Sequence, residues 1–469
     1  MKSFYITTTL PYVNAEPHIG FAMELIHADI IARYKRLQGY DVFFNTGTDE
    51  HGLKIYQVAL AENKTPQVYT DELAEKFKDL RSLLGLSEEL HFIRTTEERH
   101  KKAAQEFWKL CKKAGDIYKK EYKIRYCVGC ELEKTDSELV DDKCPIHSNK
   151  ELEIIEEENY FFKLSKYSPK LLELYDENPE FVVPDSRLNE MRALIDRGLE
   201  DFSISRLKEK MPWGVDVPGD GKHVMYVWFD ALVNYISTIG WPSDLDTFNK
   251  YWPVVQFAGK DQIRQQVVMW QAMLMSAGLS PSKQILIHGF INYEGQKMSK
   301  SLGNVVSPQE IIDEYGLDAL RYFVMREFNQ FEDTDISREK LKTTYNANLA
   351  NGLGNLVSRI MKLAETHLDT PVGQSRALTM GDKLKEMLDK FEIQKAVDHI
   401  WEQMGELDAE IQEAKPWESK DEEVIAGLVT KLAHVGYSLT PFMPETSEKI
   451  LVAIKENKMP ETLFPRINA

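Results

Sequence analysis

The stretch Lys297-Met298-Ser299-Lys300-Ser301 sets two lysines three residues apart, with hydroxyls between and after them. Ammonium and hydroxyl donors this close together make a compact set of phosphate ligands. Gly295 and Gly303 flank the set, so the backbone there changes conformation at little steric cost, as a loop that closes on a triphosphate and later releases pyrophosphate requires. A lone Lys-Ser-Lys would be read more simply as a solvated basic turn. Upstream, an apolar strand pattern over residues 4–8 leads through Leu10-Pro11-Tyr12-Val13-Asn14 to His18-Ile19-Gly20. A helix follows, with Ile26, Ile30, Tyr34 and Leu37 on one stripe. Strand, small-residue loop and helix start together set phosphates against backbone N–H groups and a positive helix end. His18 adds a donor for charge developing on a phosphate; taken alone it is also an ordinary polar helix terminus.

Other residues offer different chemistry. Asp49 lies in Thr46-Gly47-Thr48-Asp49-Glu50-His51-Gly52, at the end of a second strand pattern over 39–45. Strand ends are where open α/β sheets bind ligands; Asp49 could equally cap a helix over 53–62. Cys127, Cys130, Cys144 and His147 form two Cys-x2-ligand knuckles separated by residues 131–143. Three thiolates and an imidazole suit one tetrahedral Zn²⁺, structural because four protein ligands leave no open position; the alternative is reduced surface thiols. Cys111 falls outside this spacing and reads as a core residue. The aromatic run Tyr226-Val227-Trp228-Phe229 before Asp230-Ala231 suits a polarizable thioether, although a Trp in such a run is core in most proteins.

From Lys342 onward the pattern is helical, with Leu349, Leu353, Leu356 and Ile360 on one stripe. Asn351, Asn355 and Arg359 repeat every four residues on another face, where they could read unstacked base edges or simply be solvated. Gly352 and Gly354 each cost such a helix about 1 kcal/mol relative to Ala, which points to close approach of another group. The remaining elements read as helical over 70–114, a strand over 223–229, a strand over 285–290, one amphipathic helix over 311–326, and an acidic connector over 327–337.

Composition sets limits. A chain of 469 residues, 43 % apolar, accommodates two to four domains with real cores. A net charge of −17 counts against non-specific nucleic-acid binding, which needs basic surface, but leaves a locally basic site open. No apolar run is long enough to span a bilayer. The N-terminal residues read as a strand and not as a signal peptide. Only four cysteines occur, three of them clustered, so a reducing cytoplasm is expected.

The lysine pentapeptide resembles the signature loop of class I aminoacyl-tRNA synthetases. Gly-Thr-Asp-Glu-His-Gly over 47–52, Tyr-Val-Trp-Phe-Asp-Ala over 226–231, Phe-Ala-Gly-Lys-Asp over 257–261 and Pro416-Trp417 narrow the resemblance to methionyl-tRNA synthetases, over essentially the whole chain. It implies an α/β fold: a Rossmann-type parallel-sheet catalytic domain in two halves, 1–117 and 222–326. A connective insertion with the zinc knuckle, 118–221, interrupts it. An interdomain segment, 327–341, and an all-α helical-bundle anticodon-binding domain, 342–469, follow. The insertion of about 100 residues is shorter than the editing domains of leucyl, isoleucyl and valyl enzymes, so none is expected.

By the same resemblance, His18, Lys297 and Lys300 are catalytic, and Asn14, Gly20, His288, Gly289, Ser299 and Ser301 join them around Mg·ATP. Leu10, Tyr12, Asp49, Trp228, Ala231, Leu232, Tyr235, Asp261 and Gln266 would take L-methionine, with Asp49 on its α-ammonium. Asn351, Asn355, Arg359, Pro416 and Trp417 would read the anticodon of tRNA(Met), the indole stacking on a base. One Zn²⁺ per chain, no membrane partner and a cytoplasmic monomer complete the expectation, since the chain stops soon after the helical part. Two positions depart from the family pattern: Phe21 where a second His is usual, and Gln266 where a His stands near the methionine sulfur. They motivate one alternative, a synthetase-like enzyme with altered amino-acid choice; a second, from a different class, is a non-catalytic tRNA-binding paralogue.

Overall fold

Short runs rich in β-branched and aromatic residues build a six-stranded sheet. Its strands are β1 (Ser3–Thr7), β2 (Asp41–Thr48), β3 (Leu90–Arg94), β4 (Val182–Val183), β5 (Val255–Gly259) and β6 (Gln284–His288). The computed structural model describes residues 2–13, 17–129, 132–134, 138–298, 305–372 and 378–467. The strands lie in the order β3-β2-β1-β5-β6-β4, and every pairing is parallel. The order runs outward one way from β1 and the other way from β5, so a crevice opens beyond the carboxyl ends of these two neighbours.

Both faces of the sheet are covered, and the period of two sorts the side chains between them. Phe4 and Ile6 of β1, Phe257 of β5 and Leu286 of β6 enter one apolar core with helix α1 (Ile19–Leu37). Tyr5, Ala258, Ile285 and Ile287 enter the other, with Phe107, Trp108 and Trp270. The first core continues without a break into the C-terminal helices α2 (Asn355–His367), α3 (Ile393–Ala414), α4 (Glu422–Ser438) and α5 (Pro444–Glu456). Among the described residues no helix is long and apolar enough to cross a membrane.

Several elements differ from the sequence expectation. The span 70–114 is not helical throughout, because β3 separates helices Pro66–Leu83 and Glu98–Lys113. Its five residues carry no clear period, and His91 is held by stacking on Phe43 of β2 at 3.9 Å. The strand expected over 223–229 stops at Met225, and helix Val227–Ala231 takes over. The helix expected over 311–326 breaks at Gly316, where φ is +89°, into Pro308–Tyr315, Leu317–Tyr322 and a π-helical turn, Phe323–Glu327. The acidic connector contains a strand, Thr334–Ile336, parallel to Ile291–Tyr293. Within 118–221, an antiparallel sheet of Ile117–Cys127, Leu132–Lys134, Glu153–Phe162 and Phe202–Ser203 forms, yet Val182–Val183 returns to the edge of the central sheet.

One buried side chain ties the sheet's helices to the C-terminal ones. Arg321 bonds Asp29 of α1 at 2.9 Å, with both side chains fully buried. It also donates to the carbonyls of Leu84, Pro441 and Phe442. Asp29 further accepts from Arg33 and from the N–H and hydroxyl of Ser87. Burial alone would raise the Asp29 carboxyl, but Arg321, Arg33 and Ser87 outweigh it and hold it below the ordinary 3.8. Its stabilisation is therefore complete above that value and is lost as pH falls through the lower folded-state value. Asp29→Ala, which strands the guanidinium, is expected to remove about 3–5 kcal/mol of stability, read as a lowered urea midpoint at neutral pH and a smaller deficit in acid.

Candidate functional site

The crevice beside β1 and β5 is built around Glu24. This carboxylate sits in the second turn of α1 and is 3 % exposed. It accepts from the Thr9 backbone N–H at 2.5 Å and the Thr9 hydroxyl at 2.7 Å, just past β1. Its other oxygen meets His288 Nε2, at the end of β6, at 2.8 Å. His288 Nδ1 lies 2.9 Å from the Gly289 carbonyl, so both ring nitrogens face acceptors and the charged imidazolium is favoured. Burial alone would lower the His288 pKa, but Glu24 and the Gly289 carbonyl raise it above 6.5. At Gly259, the end of β5, a Cβ would press on Asp261 Oδ1 at 2.7 Å. Gly289 is more tightly constrained, since a Cβ would reach within 2.3 Å of the Glu332 backbone carbonyl group.

His18 caps α1, with Nδ1 accepting from the Gly20 N–H at 3.1 Å. Phe21 turns away from any polar role and packs edge-on against Phe77 at 5.7 Å. Lys297, the first residue of the lysine motif, ends a hairpin of Ile291–Tyr293 with Gln296–Lys297. Its turn residues Glu294 and Gly295 both have positive φ, +51° and +76°, the geometry a tight two-residue hairpin needs. Asp335 accepts from the Gly295 N–H at 2.7 Å. Beyond the motif, the Val306 carbonyl accepts from the Ile19 N–H at 3.2 Å. Both ends of this segment are thereby anchored, one of them beside His18. Asn14, Ser299, Lys300, Ser301 and the Lys297 side chain lie outside the described residues.

Asp49 is buried, and its backbone pairs with Pro11 and Val13, flanking Tyr12. Gly52, not Asp49, is the residue at the N-cap of helix Leu53–Ala61. Trp228 and Ala231 lie on the short helix Val227–Ala231 and Leu232 caps it, with Leu10 buried at the exit of β1. Tyr235 and Gln266 are each 1 % exposed and bonded to each other at 2.8 Å. Gln266 belongs to a π-helical turn, Arg264–Met269, a distortion frequent at functional sites. The apolar cluster of Tyr126, Tyr226 and Val227 packs with Tyr12, Val128 and Trp228, joining the knuckle strand to this pocket.

The knuckle brings Cys127 Sγ to 3.8 Å and Cys144 Sγ to 4.0 Å from His147 Nδ1, all within 4.8 Å of one another. A tetrahedral Zn²⁺ with bonds of about 2.0–2.3 Å places its ligand atoms roughly 3.5–3.8 Å apart, so the donor set fits. Cys130 lies outside the described residues. Gly129 packs under the imidazole, where a Cβ would come within 2.6 Å of the ring.

In the helical part, Asn351 and Asn355 are exposed and Arg359 is half-buried. The row crosses a junction, because Tyr345–Gly354 is π-helical and α2 begins only at Asn355. Arg359 is tied to Asp408 of α3 at 2.6 Å. At Gly352 and Gly354 a Cβ would lie 3.3 and 3.1 Å from the Ala347 and Leu349 carbonyls of the same π-helical turn, and Phe464 makes only ordinary contact at Gly354, 3.7 Å away. Pro416 is buried and Trp417 is 43 % exposed, just after α3 ends in a left-handed turn at Lys415.

Sequence reasoning missed Glu24 and Arg206. Glu24 left a signal, as the first charge within the apolar stretch of α1. Arg206 left little. Its buried guanidinium lies 4.3 Å over Tyr226 and 5.4 Å from Tyr126, beside the same pocket. Nor was His51 paired in advance with Asp230, which it meets at 2.9 Å, both fully enclosed.

Comparison with known proteins agrees with this geometry. A family model described as tRNA synthetases class I (M) matches residues 4–153 and 130–361. The methionine–tRNA ligase of Thermotoga maritima is 42 % identical, over 97 % of this chain and 76 % of its own length. That of Rickettsia typhi is 40 % identical, over 96 % and 92 % respectively. Among solved structures, Mycobacterium tuberculosis methionyl-tRNA synthetase in complex with methionyl-adenylate gives a TM-score of 0.89 at 36 % identity, covering 100 % of this chain and 99 % of that one. Its apo form gives 0.84 at 33 % identity.

The His288–Glu24 pair is directly testable. Because the folded-state pKa of His288 is raised, the pair stabilises fully below the unfolded value of 6.5 and loses its contribution as pH rises through the folded value. Glu24→Gln keeps the shape and removes the charge. It is expected to move the His288 titration, followed by its ring-proton NMR shift, to lower pH; an unmoved titration would disprove the pairing.

Proposed function

Because the chain belongs to the class I tRNA synthetases of the methionyl (M) type, we propose that the crevice activates L-methionine with Mg·ATP and passes the methionyl group to tRNA. The observation that carries this reading is the match, along the whole chain, to a methionyl-tRNA synthetase holding methionyl-adenylate. The methionine carboxylate attacks the α-phosphorus of ATP, forming a mixed anhydride and expelling pyrophosphate. A hydroxyl of the terminal ribose of tRNA then attacks the carbonyl carbon, and AMP leaves. No enzyme nucleophile is needed; rate comes from positioning and from charge stabilisation.

In this assignment His18 and the lysines at 297 and 300 meet the charge that develops on the phosphates, with Ser299, Ser301, Asn14 and Gly20 beside them. Glu24, His288 and Gly289 stand where the nucleoside end would lie, and Asp261 stays with the residues assigned to methionine. Asp49 takes the α-ammonium, because a charge in a dehydrated pocket needs a partner of opposite sign. Leu10, Tyr12, Trp228, Ala231, Leu232, Tyr235 and Gln266 surround the side chain. Phe21 contributes packing only, so the missing second histidine is not replaced at that position.

Asn351, Asn355, Arg359, Pro416 and Trp417 form the anticodon reader in this proposal. Its cognate is tRNA(Met), and the enzyme works as a monomer with domains near those expected. Exposure of Asn351, Asn355 and the Trp417 indole supports the assignment, and Asp408 pre-orients Arg359. The four knuckle residues would hold one Zn²⁺, which supplies a structural cross-link and no Lewis acid.

Two experiments test the reading. ATP–pyrophosphate exchange, run with each of the twenty amino acids, should proceed with methionine alone. Exchange with another amino acid would instead favour altered specificity, and no exchange with any would favour a tRNA-binding paralogue. Elemental analysis should find one zinc per chain. Gly129→Ala, by displacing the His147 ring, should lower that content several-fold; metal-free protein on first purification would refute the knuckle.

A further inference from the structure

Beneath the pocket assigned to methionine runs a buried chain of side chains whose hydrogen bonds all point one way. It starts at Gln271, whose Oε1 accepts from the Ser282 backbone N–H at 2.9 Å. The Gln271 Nε2 donates to the Gln266 backbone carbonyl, also at 2.9 Å. A backbone N–H only donates and a carbonyl only accepts, so the orientation of this amide is fixed at both ends. Its second Nε2 hydrogen goes to Ser282 Oγ at 3.1 Å. That hydroxyl, already accepting, sends its own proton to Gln256 Oε1 at 2.5 Å. Gln256 Nε2 then donates to Gln266 Oε1 at 3.0 Å, and Gln266 Nε2 donates to Tyr235 Oη at 2.8 Å.

No member is more than 5 % exposed. Where water cannot substitute, reversing one amide would set donor against donor, so the polarity holds as a unit. Its terminus is the point of interest. Tyr235 Oη accepts from Gln266, which turns the phenol's own proton away from the chain. With the Gln266 amide reversed, its oxygen would take that proton and leave the phenol none to give.

We propose that Gln256, Gln271 and Ser282 are positioning residues for amino-acid selection, holding the Gln266 amide so that the Tyr235 O–H is kept for the thioether sulfur of bound methionine. The proposal rests on the assignment of Tyr235 and Gln266 to the methionine pocket. A thioether is a weak acceptor, whereas the methylene that replaces it in norleucine accepts nothing. An apolar pocket by itself separates the two poorly, because they are close in shape and volume. The directed chain adds a test for sulfur to the test for size. It also explains how Gln serves at position 266: its side-chain oxygen takes the chain's last internal proton and its nitrogen passes one on.

The test is the preference for methionine over norleucine, as the ratio of kcat/KM in ATP–pyrophosphate exchange by the full-length protein. Gln256→Met breaks the chain without emptying the space, and should lower the ratio roughly 3–10-fold, the effect of one neutral hydrogen bond. KM for ATP should stay within about twofold. Tyr235→Phe should lower the ratio as much, and combining the two should add nothing further. Ser282→Ala removes one hydroxyl and should act in the same direction but more weakly, which keeps the test available if Gln256→Met does not fold. Equal losses for both amino acids would mean that these residues only pack, and an unchanged ratio would overturn the relay outright. If the unaltered protein shows no exchange with methionine, the functional assignment itself fails; exchange with an unmoved ratio rejects the relay alone.

Discussion

The guanidinium of Arg321 is the constraint on which the arrangement of this molecule depends. It is fully buried, and burial pulls its pKa below the ordinary guanidinium range despite the opposing pull of Asp29. Such a charge persists only when its donors are satisfied. Here they reach one carboxylate and three carbonyls on three separate parts of the chain. A lysine could not span this set, because an ammonium is a point charge whereas the guanidinium is a planar fork. Through Asp29 the fork grips α1, and through Pro441 and Phe442 it grips the loop between α4 and α5.

What is gripped matters because α1 serves both ends of the molecule. The helix has 19 residues and is about 28 Å long. His18 caps its start, and Glu24 ties its second turn to β1 and β6. Farther along, Tyr34 and Lys35 reach Lys385 and Asp389 of the helical part, and Arg326 adds a bond to Asp398. The helical part is thus set at a fixed distance from the crevice by one rigid element. A single apolar core runs across the junction, so the two parts are joined by packed side chains and not by a bare linker.

How much of this was legible depended on whether a residue acts through local pattern or through distant pairing. The strands β1, β2 and β6 were readable, as apolar runs ending in threonine or histidine. So was the knuckle, whose ligands are close in sequence. β3 was not, because its five residues alternate poorly and its partners lie 46 residues upstream in β2, Phe44 opposite Leu90 and Thr48 opposite Arg94. Gly316 hid a break in an otherwise helical pattern, since glycine inside a helix signals a cost but not a conformation. Arg206 and Gln256 were invisible for the same reason as each other: their partners are set by strand register and helix packing. Gln266 was noticed as a departure from a family pattern, but its meaning required Gln271 and Ser282, which no motif contains.

The lysine motif shows the same division between local signal and tertiary support. Its residues announce phosphate chemistry, yet a loop of lysines is useful only if its ends are fixed relative to His18. One end is a hairpin whose Glu294 holds an uncommon positive φ. For a residue with a side chain that conformation costs energy, and the Asp335 bond to the adjoining Gly295 N–H offsets it. Asp335 lies in the strand that the sequence presented as a mere connector, and Arg338, three residues on, pairs with Glu310 and Glu314. That strand leads directly into helix Arg338–Thr344 and on to Asn351 and Asn355. The other end returns to the Ile19 N–H at the start of α1. Anything that shifts the helical part therefore bears on the hairpin from one side and on His18 from the other. The fold makes the two anchored ends of the lysine segment and the helical face mechanically contiguous without a shared residue.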